Sequence, residues 1–124
     1  MTLGPFVTAQ DRLDTDFINL RLLPNIRVQL LYNGIHNFMS EDLYQGFDQA
    51  YLHKYAFAKF SLACDLLDEH HSGFAFIVYD ALRPRSVQRR MYEFVAGSQY
   101  KDYVAEPTRG SLHNFGMAID LSLL

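Results

Sequence analysis

The sequence has a single cysteine, no tryptophan and four prolines. One thiol excludes an internal disulfide. Cys64 lies in an apolar helical pattern, so a buried structural thiol is expected rather than a reactive one. No window reaches the ~18 uncharged apolar residues of a membrane span. Positive charge is not in excess: 11 Lys and Arg stand against 14 Asp and Glu, a net charge of -3. This removes the basic footprint of a nucleic-acid binder and any polybasic patch for a membrane. Arg83, Arg85, Arg89 and Arg90 read as a solvated helix face. The opening MTLGPFVTAQDRLD lacks a charged segment followed by a long apolar one, so no signal peptide is visible. Cytoplasm is the expected compartment, or periplasm if a signal has been removed. Repeats, low-complexity tracts and linkers are lacking too, which points to one domain over residues 1–124.

What is present is ordered. Residues 26–32 (IRVQLLY) alternate as a strand does, and 33–47 read as a long loop carrying Asn33-Gly34 and Gly46. Residues 52–71 carry the clearest helix: Ala56, Phe60, Ala63 and Leu67 recur near a period of 3.6, with Phe57, Cys64 and Leu66 widening the stripe. FAFIVYD (74–80) has strand length. Ser86 is the expected N-cap of a second helix with Val87, Met91, Phe94 and Val95 on its apolar face, ended by Gly97. Residues 98–110 form a loop with a helical turn near Tyr100 to Val104, and MAIDLSLL closes the chain as a strand. The expected fold class is α+β, an antiparallel sheet packed against helices.

Three segments are candidates for chemistry. In SLHNFGMAID (111–120), His113 and Asp120 read either as two ligands of one metal or as a loop histidine and a turn-capping aspartate. A neutral imidazole and a carboxylate are good zinc ligands, and Gly116 allows a tight turn between them. In YDALRP (79–84), Arg83 offers a fixed fork of donors for a carboxylate or a developing oxyanion. Asp80 is placed to hold that fork or to support a ligating histidine from behind; the plain alternative is a turn cap beside a solvated arginine. His36, in NGIHNF, reads as structural or solvent-facing, and His70-His71 as a pair suited to a helix C-terminus.

Taken in order, LLYNGIHNF, YLHKYAFAKFSLACDLL, VYDALRP and GSLHNFGMAIDLSLL resemble the D-alanyl-D-alanine dipeptidases, from about residue 16 onward. The S-x-H-x-x-G-x-A-x-D element marks the wider superfamily of zinc D,D-peptidases; D-x-x-R-P and Asn37-Phe38 favour the dipeptidase branch. The resemblance implies Zn2+ held by His113 and Asp120, and hydrolysis of D-Ala-D-Ala by a zinc-activated water. It implies Arg83 as the group that polarises the scissile carbonyl, and Ser111 as a residue that orders the loop or touches substrate. The family's later Glu-x-x-His element, with its general base and third ligand, has no counterpart in the 124 residues. The expectation is therefore an N-terminal portion of such a domain, its sheet incomplete at the C-terminus, with weak zinc binding and impaired activity. Two alternatives stand beside it. One is a non-catalytic module that binds a small peptide, or self-associates by pairing its last, exposed apolar strand. The other is a D,D-carboxypeptidase or peptidoglycan endopeptidase of the same superfamily.

Overall fold

A computed structural model describes residues 16–124. The reading of MTLGPFVTAQDRLD lies outside them. The architecture is α+β, as the order of elements suggests. Among the described residues the strands are β1 (Phe17–Asn19), β2 (Ile26–Val28), β3 (Tyr51–His53), β4 (Phe76–Asp80) and β5 (Asp120–Leu123). Among the described residues the α-helices are α1 (Lys54–His70) and α2 (Arg85–Val95). Short 3-10 turns cover Leu20–Leu22, Lys101–Tyr103 and Leu112–Phe115.

The strands form two sheets. β1 pairs antiparallel with β3, and β4 lies between β2 and β5. The second sheet is mixed: β4 and β5 are antiparallel, but β2 runs parallel to β4. The parallel pair departs from the antiparallel sheet expected. Its cause is topological, because the chain between β2 and β4 crosses over through the 33–47 loop, β3 and α1, as parallel neighbours require. The ladder continues past β2 through Gln29 N–H to the Val78 carbonyl at 2.8 Å and Leu31 N–H to that of Tyr79 at 3.1 Å. Among the described residues β5 is an edge strand, exposed along its length.

The helix foreseen over 52–71 begins two residues later, because Tyr51–His53 pairs as β3 and His53 caps α1 through Nδ1. Phe60 is its buried anchor, with Ala56, Phe57 and Cys64 packed partly against the core, whereas Leu66 is exposed. Burial raises the Cys64 thiol pKa, with Asp65 adding to the effect. Helix α2 starts one residue before Ser86, with Pro84 at the cap position. A proline has no N–H to leave unpaired at a helix start. Val87, Met91 and Val95 are buried as expected; Phe94 is exposed and lines a cleft instead. None of the described helices is long and apolar enough to cross a membrane.

The loop 33–47 is irregular but tightly bonded. Asn37 Nδ2 reaches the carbonyls of Leu31, Gly34 and Glu41 at 3.0, 2.9 and 2.8 Å, and its Oδ1 accepts from Met39 N–H at 3.0 Å. Glu41 pairs with Arg90 on α2 through both carboxylate oxygens. This bonding fixes where the loop delivers two rings: Phe38 to the cleft and Tyr44 to the interior, against the end of β4.

Candidate active site

Strand β4 ends in an acid. A bulge in the β4–β5 register between Val78 and Asp80 accompanies a fully buried Asp80, at 0% exposure. A buried carboxylate needs partners, and here both oxygens have them. Tyr44 donates its hydroxyl hydrogen to Oδ1. Arg83 Nε donates to Oδ2 at 2.9 Å, and Nη2 is ion-paired with the same oxygen at 2.8 Å. Burial pushes the Asp80 carboxyl upward, while Arg83 and the Tyr44 hydroxyl pull it back. Burial also acts to lower the Arg83 guanidinium, but Asp80 and Tyr44 outweigh it and the value rises. Arginine does not deprotonate in proteins, and Asp80 accepts two hydrogen bonds and faces Nη2 at 2.8 Å, so the pair is ionic.

Arg83 is 6% exposed, far from the solvated arginine of the plain alternative. Its Nη1 donates to Gln88 Oε1 at 2.8 Å, and its guanidinium lies over the Tyr32 ring at 5.5 Å. Nε and Nη1 thus donate to Asp80 and Gln88, Nη2 is ion-paired with Asp80, and the side chain still lines the cleft.

The second wall is the 111–120 segment. Ser111 caps the 3-10 turn in a reciprocal box with Asn114, and Gly116 closes it in the left-handed region at φ 70°. His113 N–H meets Ser111 Oγ at 3.2 Å, so Ser111 orders the loop while also lining the cleft. Two bonds fasten this segment to the end of β4: Arg83 N–H to the His113 carbonyl, and Asn114 Nδ2 to the Arg83 carbonyl, both at 2.8 Å.

His113 Nδ1 lies 2.8 Å from the Ala81 carbonyl oxygen. A carbonyl only accepts, so Nδ1 carries the proton and a neutral ring presents its lone pair at Nε2. That nitrogen faces Asp120 Oδ1 at 3.3 Å, while Asp120 Oδ2 lies 3.6 Å from Arg83 Nη2. A lone pair and a carboxylate oxygen at this distance call for a proton or a cation between them. The nitrogen and oxygen donors suit zinc. Ligand atoms of Asp80, His113 and Asp120 all lie within 4.8 Å of one another. Asp80, however, is committed to Arg83 and Tyr44, which leaves His113 and Asp120 as the donors open to an ion. The Asp120 pKa is lowered, first by the hydrogen bond with His113 and then by the nearby charges of His113 and Arg83, against the effect of burial.

The sequence-derived candidates His113, Asp120, Arg83 and Asp80 therefore meet at one point. Asp120 opens β5 rather than lying inside the strand expected over MAIDLSLL, and its side chain is 51% exposed. Exposure follows from its place at the mouth of a cleft of about 950 Å³. His36 is exposed and stands outside the cluster. Three contributors escaped the sequence reading. Tyr44 and Tyr32 come from the loop region 36 or more residues upstream of Asp80, with no local signal. Gln88 did carry one: it is a polar residue on the face of α2 that buries Val87, Met91 and Val95.

Replacing Tyr44 with phenylalanine removes one donor from a buried carboxylate, and about 1–3 kcal/mol of stability should go with it. The Tyr44 phenol is raised well above its ordinary value of 10.0, first by burial and then by Asp80. A raised folded value means stability that is intact below the unfolded value and declines as pH climbs past it toward the folded one. Urea titrations in alkaline buffer should show this decline in the parent, and a shallower one in the Tyr44→Phe variant.

No family model matches the chain. A comparison with characterised proteins finds similarity to the D-alanyl-D-alanine dipeptidase of Escherichia coli (strain K12), 32% identical over 110 residues. The match covers 88% of this chain and 54% of that protein, so the chain spans about half the length of the relative. Residues that meet in the cleft thus belong to a sequence related, along most of its length, to a D-alanyl-D-alanine dipeptidase.

Proposed function

We propose that the chain is part of a zinc-dependent peptidase that acts on the D-Ala-D-Ala dipeptide, a component of peptidoglycan precursors. The observation that carries this reading is the meeting of His113 Nε2 with Asp120 Oδ1 at 3.3 Å, with the Arg83 guanidinium beside the same carboxylate. His113 and Asp120 would hold the metal. When bound, zinc acts as a Lewis acid and lowers the pKa of water. Arg83, which lines the cleft, binds the scissile carbonyl oxygen and stabilises the negative charge that develops on it. Asp80 fixes the guanidinium, and Tyr44 in turn holds Asp80. Ser111 and Asn114 set the turn that aims His113, and the Ala81 carbonyl keeps its ring in the tautomer that offers Nε2.

Two protein ligands are one fewer than a catalytic zinc site normally has. The 124 residues alone are accordingly proposed to hold zinc weakly and to turn over dipeptide poorly. Metal analysis after equilibration with zinc tests the site. About one ion per chain is expected at saturation, and His113→Ala should lose it. Equal zinc content in parent and variant would remove His113 from the site. Comparison of D-Ala-D-Ala with longer stem peptides separates dipeptidase from carboxypeptidase.

A further inference from the structure

We propose that Gln88 is a positioning residue for Arg83, and that it ties the guanidinium to the 98–110 segment on the aromatic side of the cleft. The inference rests on the reading of Arg83 as the carbonyl-binding group. Gln88 is 1% exposed and sits in the first turns of α2 on the helix's buried face. An amide buried there costs stability unless both of its ends are bonded. Both are: Oε1 accepts from Arg83 Nη1 at 2.8 Å, and Nε2 donates to the Ala105 carbonyl at 2.9 Å. The orientation of the amide follows from its partners, since a guanidinium only donates and a carbonyl only accepts.

The two anchors of Arg83 differ in kind. Asp80 takes Nε and Nη2 and belongs to β4. Gln88 takes Nη1 and leads to Ala105, in an irregular stretch whose Tyr100 and Tyr103 also line the cleft. A ligand that moves this stretch therefore acts on the Nη1 end of the fork through a single amide. Neither glutamate nor methionine reproduces both bonds. Glutamate accepts from Arg83 but cannot donate to Ala105; methionine fills similar space and makes neither bond.

Nitrogen-15 spectra of the arginine side chains read this directly, with the Arg83 signals assigned by their loss in Arg83→Lys. In the parent chain Nη1 and Nη2 should be resolved, because rotation of the guanidinium is slow. In Gln88→Met the exchange between them should quicken by about tenfold or more, as loss of a charge-assisted hydrogen bond implies. Gln88→Glu should restore slow exchange while shifting the backbone amides around Ala105. If Gln88→Met does not fold, the Gln88→Glu spectrum decides alone: fast Nη exchange, or unmoved amides around Ala105, overturns the proposal. Fast exchange in the parent, or an unchanged rate in a folded Gln88→Met, overturns it as well. None of these signals requires zinc or turnover. A locked Arg83 in a chain that neither binds zinc nor cleaves peptide would sink the peptidase reading and leave this one standing.

Discussion

Asp80→Ala is expected to lower the unfolding free energy by about 3–5 kcal/mol, the cost of stranding a buried charge by removing its partner. The variant leaves the Arg83 guanidinium, 6% exposed, without its carboxylate, and leaves the Tyr44 hydroxyl without its acceptor. The loss is one of mispairing more than of attraction. Replacing both members, as in Asp80→Leu with Arg83→Met, should therefore cost less than Asp80→Ala alone, because an apolar pair leaves no charge unmatched. Denaturant unfolding of the two single variants and the double variant measures the coupling. A double variant as unstable as the two singles added together would show that the ion pair contributes nothing beyond its separate packing. Zinc content offers a second readout, since the carboxylate of Asp120 faces the same guanidinium.

Gly116→Ala should be nearly as damaging. The backbone at Gly116 has φ 70°, a region that costs residues with a Cβ about 1–2 kcal/mol. The added methyl carbon would stand 2.8 Å from the His53 backbone nitrogen and 2.8 Å from Phe17 Cε1. Neither neighbour yields easily: His53 N–H donates to the Gly116 carbonyl at 2.8 Å, and Phe17 is on a paired strand. Overpacking of this kind costs about 1–3 kcal/mol more. The effect should reach the site, because the turn that Gly116 closes carries His113 on one side and leads to Asp120 on the other. A drop in both unfolding midpoint and zinc affinity is expected. A variant with parent-like stability and parent-like zinc binding would show that the turn relaxes freely, contrary to the packing around it.

The extent to which these features were legible in sequence follows from the range of the interactions. Helix α1 was readable because its apolar positions recur within the segment itself, and the strand in FAFIVYD, which forms only over Phe76–Asp80, because a short apolar run bounded by Gly73 and Pro84 has few other uses. The spacing of His113, Gly116 and Asp120 and the D-x-x-R turn were visible as local patterns. Their convergence was implied by family resemblance, and the register of β4 with β5 realises it by pairing Asp80 with Asp120. Periodicity says which face of an element is apolar but not what covers it. Hence the parallel partnership of β2 and the delivery of Tyr44 to Asp80 across 36 residues were out of reach. Phe94 shows the same limit: its place in the apolar pattern was correct, but the pattern cannot separate a core wall from a cleft wall. Ser86 was misread because a favourable cap type masked the proline two residues earlier, which already sets the helix entry.

The paired bonds between the end of β4 and the histidine turn bear on motion. Arg83 N–H holds the His113 carbonyl, and Asn114 holds the carbonyl of Arg83. A fluctuation that lifts the turn must break both links, and one that frays the end of β4 must break the same two. The imidazole and the guanidinium consequently ride on one cooperative unit, whose local opening takes both sides of the cleft apart together.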